Sequence, residues 1–118
     1  MSSRKTVLSY VVKAFDIQPD YPRRKFPKYA VLRHGGSEKW FGIVMNVPKE
    51  KLGLAGEEEV DILDVKCHPD KVGSLRQMVG IVPGYHMNKE HWISVVLDGS
   101  VVIEHIHELI QDSYALTK

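Results

Sequence analysis

The sequence predicts a single α+β domain spanning residues 1–118. Apolar residues recur at helical spacing near both ends and once in the middle, and segments with the character of strands lie between these helices in two blocks. Consecutive strands within a block exclude the regular strand–helix alternation of a Rossmann-type sheet. A chain of this length also buries enough surface to fold without a metal or a disulfide.

The first half of the chain predicts a helix and two strands. Leu8, Val11 and Phe15 recur at helical spacing, and Ser3 precedes them as a possible N-cap. Two segments with the character of strands follow, and the glycines between them indicate a hairpin turn. The expected ranges are Arg4–Phe15 for the helix and Lys28–His34 and Lys39–Val47 for the strands.

The second half predicts further strands and two more helices. A β-branched run indicates the third strand, and Pro69 suits the first turn of the helix after it. Ile93, Val95 and Leu97 alternate as a strand, and Ser100 ends a turn that caps the closing helix. The expected ranges are Val60–Cys67 and His91–Leu97 for the strands and Pro69–Val79 and Val101–Leu116 for the helices.

Charge is unevenly distributed along the chain. The net charge is +1, but residues 1–40 carry nine Lys/Arg against three Asp/Glu, and the basic excess is densest from Arg23 to Lys39. Such asymmetry indicates either an anionic partner or an ordinary solvated face. The absence of a signal-peptide pattern and of a membrane-spanning apolar run predicts a cytoplasmic location and no membrane partner. The single cysteine, Cys67, is typical of a reducing compartment.

Five short segments carry a family resemblance: Lys39–Met45, Val65–Pro69, Gly84–Trp92, Leu97–Ser100 and Leu109–Tyr114. Their residues and order resemble the MmcQ/YjbR family from the first helix to the C-terminus, and the run Tyr-His-Met-Asn-Lys-Glu-His-Trp that begins at Tyr85 is the most specific part. The family often has Asp where this chain has His68, which is a poorer helix cap.

The resemblance implies a two-layer sandwich of order α-β-β-β-α-β-β-α, similar to type III secretion chaperones. In this fold a short strand around Tyr85–Met87 would pair with the strand at His91–Leu97. The resemblance also implies DNA binding through a "double-wing" motif. DNA binding is the leading interpretation, and a chaperone-like architecture suggests the alternative, a protein-interaction module without a nucleic-acid role.

The sequence offers no recognisable catalytic, metal or cofactor site. Cys67 continues the alternation of Leu63 and Val65, which indicates a buried structural thiol rather than a nucleophile. If Asn88-Lys89 is a hairpin turn, His86 faces His91, but two imidazoles make only half of a zinc site. Phosphate-binding glycine motifs are absent. We therefore expect neither a cofactor nor an enzyme, although an enzyme of an unrecognised type remains a third alternative.

The candidate nucleic-acid interface consists of cations beside aromatic rings in the two predicted hairpins. Cations attract phosphates regardless of base sequence, and exposed rings stack on bases. The alternative is that both tryptophans anchor the core and the lysines are ordinary turn residues. A connected basic face would favour DNA, and an exposed apolar patch would favour a protein partner. The candidate residues are Arg33, Lys39, Trp40, Tyr85, His86, Asn88, Lys89, His91 and Trp92.

Overall fold

A computed structural model describes residues 3–22 and 25–118. Arg23 and Arg24, which belong to the basic segment of the sequence, lie outside the described residues. The elements in chain order confirm the α+β fold. They are α1 (Arg4–Phe15), β1 (Ala30–Arg33), β2 (Trp40–Pro48), a 3₁₀ helix (Lys49–Leu52), β3 (Glu59–Lys66), α2 (Pro69–Leu75), β4 (Ile81–Pro83), β5 (Trp92–Val96) and α3 (Ile103–Leu116).

The strands form one five-stranded sheet in the order β1-β2-β3-β5-β4, with every neighbouring pair antiparallel. The long central strands β2 and β3 pair over their length, with Val44 opposite Leu63, and Leu63 in turn faces Val95 of β5. Because successive side chains in a strand point to opposite sides, this register gives the sheet two distinct faces.

One face of the sheet is covered by helices. Val7 and Val11 of α1 and Ile106 and Ile110 of α3 are buried with the side chains of the strands in the main core. Their spacing of about one helical turn lines each helix with an apolar stripe, and burial of that stripe holds the helix on the sheet. This arrangement is the two-layer sandwich that the family resemblance implied.

The opposite face is covered by loops and the 3₁₀ helix instead of α-helices. A second apolar cluster forms there around Val31, Ile43, Met45 and Ile62. Side chains from the 3₁₀ helix and from irregular segments pack against this cluster: Tyr29, Leu52, Leu54, Tyr85 and Met87. We call this side of the sheet the helix-free face.

The strand expected around Tyr85–Met87 is wrong. The partner of β5 is β4, Ile81–Pro83, with Val82 opposite Ser94, and residues 84–91 form a loop. Pro83 is compatible with β4 because β4 is the edge strand, where a missing N–H breaks no internal ladder.

The helix boundaries agree with the sequence where local signals are strong. Ser3 caps α1 in a capping box, as expected, with its hydroxyl accepting from the backbone N–H of Thr6. In contrast, α2 ends at Leu75, so Val79 is exposed rather than inward. Ser100 does not cap α3, since the helix begins at Ile103 with Val102 in the N-cap position. None of the described helices is long and apolar enough to cross a membrane.

Candidate nucleic-acid interface

A pocket of about 150 Å³ opens on the helix-free face. Its floor is made by side chains of β1 and β2, namely Val31, Ile43 and Met45. Because these residues alternate with core residues along their strands, the pocket and the helices lie on opposite sides of the sheet. We call this cavity the aromatic pocket, after the residues of its walls.

Three separate segments supply the walls of the aromatic pocket. The segment before β1 contributes Phe26 and Tyr29, whose rings stack with centroids 4.8 Å apart. The loop after β4 contributes Tyr85 and His86, whose rings stack with centroids 4.0 Å apart. The remaining wall residues are Pro22, Trp40 and Met87.

A β-bulge places Trp40 at the pocket. Leu32 pairs with Gly42, whereas Arg33 pairs with Trp40, so Phe41 is an extra residue in β2. The extra residue lets Phe41 point into the core while Trp40 shares the pocket face with Ile43. The side chain of Trp40 is consequently 36% exposed, and the core role considered for it from sequence is wrong.

The cations of the first hairpin differ in availability. The Arg33 guanidinium lies 5.7 Å from the centre of the Trp40 ring and 2.9 Å from a carboxylate oxygen of Asp20. This ion pair offsets part of the Arg33 charge. Lys39 is exposed at the end of the turn, where its carbonyl accepts from the N–H of His34. Lys39 is therefore the better placed of the two for an outside anion.

The loop after β4 is held by hydrogen bonds to strand β5 and within itself. The Tyr85 N–H donates to Ser94 Oγ at 2.8 Å, and Lys89 Nζ donates to the carbonyl of Gly84 at 3.2 Å. The Asn88 carbonyl accepts from the Trp92 N–H at 2.9 Å and closes the loop. These contacts fix Tyr85 as a wall of the pocket.

Four candidate residues of this loop region do not line the pocket: Asn88, Lys89, His91 and Trp92. Trp92 is only 9% exposed, so it offers no ring to a ligand. A Cβ at Gly84 would lie 2.8 Å from the Trp92 carbonyl oxygen, so glycine alone allows this close approach. His91 lies at the end of the loop, where its carbonyl accepts from the Cys67 N–H.

The facing pair of imidazoles expected from sequence is also wrong. His86 and His91 belong to one irregular loop and are not opposite each other in a ladder, because β4 ends at Pro83. Within residues 3–22 and 25–118, no three His, Cys, Asp or Glu side chains are grouped to hold a metal ion.

A buried carboxyl lies under the same loop. Asp64 of β3 is 0% exposed and faces Ile43 and Ser94 in the sheet register. Ser94 Oγ donates to Asp64 Oδ1, while Asp64 Oδ2 has no hydrogen-bond partner among the described residues. Burial raises the pKa of Asp64 to about 7, against the opposing effects of the Ser94 hydrogen bond and the Lys89 charge. Asp64, Ser94 and the Tyr85 N–H thus form one chain of contacts from the sheet to the pocket wall.

Cys67 lies on the other side of the sheet, in the core, as the alternation predicts. Burial raises the pKa of its thiol, with the Lys71 charge opposing the shift. A raised pKa leaves less thiolate at neutral pH, which makes the group a poor nucleophile. The geometry therefore agrees with a structural thiol.

Sequence reasoning missed most of the pocket. Phe26 was part of a segment of no assigned structure before the first strand, and Tyr29 and Met45 were only strand residues. One signal was available: Ile43 and Met45 alternate with core residues along the strand, so their side chains point away from the helices. No local pattern shows that Tyr85 and Trp40 meet, because their contact depends on the order of the strands.

Comparison with known proteins agrees with this fold. The family model described as YjbR matches residues 15–116. The uncharacterized protein YyaQ of Bacillus subtilis (strain 168) is 48% identical over 118 residues, which is 100% of both chains. The uncharacterized protein YjbR of Escherichia coli (strain K12) is 40% identical over 53 residues, 44% of this chain and 45% of that protein.

Two solved structures extend the comparison. A crystal structure of a Pseudomonas syringae protein has a TM-score of 0.97 and 48% sequence identity, covering 98% of this chain and 99% of that one. The Deinococcus radiodurans protein DR2400, with a domain described as DUF419, has a TM-score of 0.73 and 25% identity, covering 98% of this chain and 78% of that one. The two-layer sandwich is therefore shared by experimental structures.

Proposed function

This chain belongs to the YjbR family, and from that premise we propose that it binds nucleic acid at the aromatic pocket and the cations around it. The observation that carries the proposal is the meeting of Trp40 from the first hairpin with Tyr85 and His86 from the loop after β4. Two segments that are far apart in sequence supply one exposed aromatic surface. Such a surface is a stacking platform for bases.

Cations surround this aromatic surface. Lys25 and Lys28 are exposed on either side of Phe26, and Lys39 is exposed next to Trp40. Lys89 borders a shallow hollow that it shares with Tyr85 and His86. Each cation attracts phosphate without regard to base sequence. Asp20 neutralises part of this charge through Arg33, so weak and sequence-independent binding follows.

The proposed role is binding without catalysis, in a cytoplasmic setting, and without a bound cofactor. Two buried titratable groups, Cys67 and Asp64, support this, because neither offers a reactive atom to a substrate. Cys67 has a raised pKa inside the core, and Asp64 is fully buried beneath the loop after β4.

A protein-interaction module is the second candidate, and one observation favours it. Met78, Val79 and Val102 are exposed apolar side chains beside the point where Gly80 packs against Ser100 and Val101. These residues lie away from the aromatic pocket, near the ends of α2 and α3. An exposed apolar group of this kind is typical of a protein contact.

The salt dependence of DNA binding tests the proposal. With two to four phosphates neutralised, the logarithm of the affinity should fall with the logarithm of salt with a slope of about 2–4 in magnitude. Between about 50 and about 200 mM salt, the affinity should therefore drop about 15- to 250-fold. Binding should also be tighter at about pH 6 than at about pH 8, because a protein gains positive charge as pH falls and then attracts phosphate more strongly.

Charge variants with a matched control separate this surface from nonspecific attraction. Lys39→Glu with Lys89→Gln should abolish binding, and glutamine replaces the Lys89 ammonium, which donates to the Gly84 carbonyl, with an uncharged N–H donor. Lys5→Glu with Lys71→Gln makes the same change in net charge on exposed residues of α1 and α2, and it should leave most of the binding intact. Equal loss in both double variants, or no binding by the parent at about 50 mM salt, would refute the proposal.

A further inference from the structure

We propose that the aromatic pocket takes a single base ring from an unpaired strand, so that the chain prefers single-stranded nucleic acid to a duplex. This inference rests on the proposed function and specifies its ligand. It follows from the size of the pocket, the chemistry of its walls and the charge at its rim.

The volume of the pocket selects a single ring. A cavity of about 150 Å³ holds a benzene-sized group. Pockets for drug-sized ligands span about 300–1,000 Å³, so a whole nucleotide cofactor does not fit. One ring with its attached sugar and phosphate outside the pocket does fit.

The walls suit the flat face of an aromatic ring. Phe26, Trp40 and Tyr85 supply ring surfaces from three different segments of the chain. Met45 and Met87 line the same cavity, and thioether side chains make favourable contacts with aromatic rings. A planar occupant would thus be surrounded by aromatic and thioether side chains.

The charge around the pocket excludes the main competing occupant. Aromatic cages also bind quaternary ammonium groups through cation–π attraction. Here the Arg33 guanidinium already lies over the Trp40 ring, and Lys39 is exposed next to Trp40. A second cation would be repelled at this rim, whereas a ring tethered to a phosphate would be attracted. The Asp64 carboxyl is buried beneath the loop, bonded to Ser94, and is not part of the pocket lining.

The same geometry distinguishes a single strand from a duplex. In a duplex each base is stacked on both faces, so a ring must leave the stack before it can enter a pocket. An unpaired strand presents its bases at a smaller cost. Duplex DNA would then contact only the cations at the rim.

Fluorescence anisotropy with three matched ligands tests this inference. The ligands are an oligothymidine, the same strand with abasic residues in place of thymidines, and a duplex of equal length. Base stacking predicts that oligothymidine binds about 5- to 150-fold tighter than the abasic strand. The fluorescence of Trp40 should be quenched by oligothymidine alone, whereas Trp92 is buried and serves as an internal reference.

Three variants connect the preference to the pocket. Trp40→Ala should bring the ratio of the two single-strand affinities close to one, and Trp40→Phe, which keeps a ring, should restore it. Tyr21→Ala removes an exposed ring that does not line the pocket and should leave the ratio unchanged.

The outcomes distinguish this inference from the proposed function. Equal binding of oligothymidine and the abasic strand would overturn the single-ring pocket while leaving phosphate binding in place. Tighter binding of the duplex would overturn it as well. No binding of any of the three ligands would mean that the proposed function itself has failed.

Discussion

Replacing Asp64 with asparagine should remove a large pH dependence of stability. Burial raises the pKa of Asp64 to about 7 in the folded protein, from an ordinary value of 3.8. Between these pH values the folded state keeps a proton that the unfolded state releases. Since the folded state binds more protons, the free energy of unfolding falls as pH rises from about 4 to about 7 and is constant above that.

The size of this effect follows from the difference in pKa. About three pKa units correspond to about 4 kcal/mol of unfolding free energy. Asparagine keeps the shape of the side chain and can accept from Ser94, but its amide N–H groups would replace Oδ2, which has no partner among the described residues. Burying these N–H groups without an acceptor lowers the free energy of unfolding by about 1–3 kcal/mol at every pH. The substitution should therefore remove the contribution of Asp64 to the pH dependence of the unfolding free energy.

Urea denaturation of parent and Asp64→Asn protein from about pH 4.5 to about pH 8 measures the effect. The other titrating groups are common to both proteins and cancel in the difference. His34, for example, has a pKa lowered mainly by burial and then by the Lys118 charge, so its own contribution is complete above pH 6.5 and is lost as pH falls. Over this pH range the difference in unfolding free energy should change by about 3 kcal/mol in favour of the variant, because the rest of the effect lies below pH 4.5. Parallel profiles would refute the reasoning.

Three further predictions concern single groups. Cys67→Ala should cost about 1–2 kcal/mol of stability through lost packing and leave DNA binding unchanged, whereas rapid labelling of the native thiol would contradict its burial. Ser94→Ala should lower the free energy of unfolding by about 1–3 kcal/mol, because it leaves Asp64 and the Tyr85 N–H without this partner. Hydrogen exchange at the Tyr85 amide should become faster, and an unchanged exchange rate would show that other contacts hold the loop. Purified protein should carry no stoichiometric zinc, since His86 and His91 form no facing pair, and one zinc per chain in elemental analysis would contradict this.

The elements with strong local signals were predictable from the sequence. Helix α1 has the expected ends, because Ser3 and the apolar spacing act within a few residues of each other. The hairpin of β1 and β2 was also predictable, since Gly36 adopts a positive φ of 63° in its turn. In these cases short-range physics decides the structure.

The β4–β5 pairing was not predictable in the same way. In the sequence, Gly80, Pro83 and Gly84 indicate an interruption of regular secondary structure, yet Ile81–Pro83 pairs as an edge strand. A proline is excluded from a central strand but not from this edge, and the sequence alone does not tell which strand will be the edge. The family resemblance gave the right number of strands and misplaced this one.

The candidate site was predictable only in part. Trp40, Tyr85 and His86 were chosen from sequence and line one pocket, whereas Trp92 is buried. The exposure of Trp40 depends on the bulge at Phe41, which shifts the alternation of β2 by one residue. The burial of Asp64 was not predictable either, because it and the contact with Ser94 arise only when β3 and β5 pair in the folded sheet.

The binding surface itself can be mapped by nuclear magnetic resonance. An oligothymidine added stepwise to isotope-labelled protein in low salt should shift the amide signals of the pocket residues, in particular those near Phe26, Trp40 and Tyr85. The amides of α1 and α3 should stay in place, since both helices lie on the opposite face of the sheet. Shifts centred on Met78, Val79 and Val102, or no shifts at all, would contradict the assignment of nucleic-acid binding to the aromatic pocket.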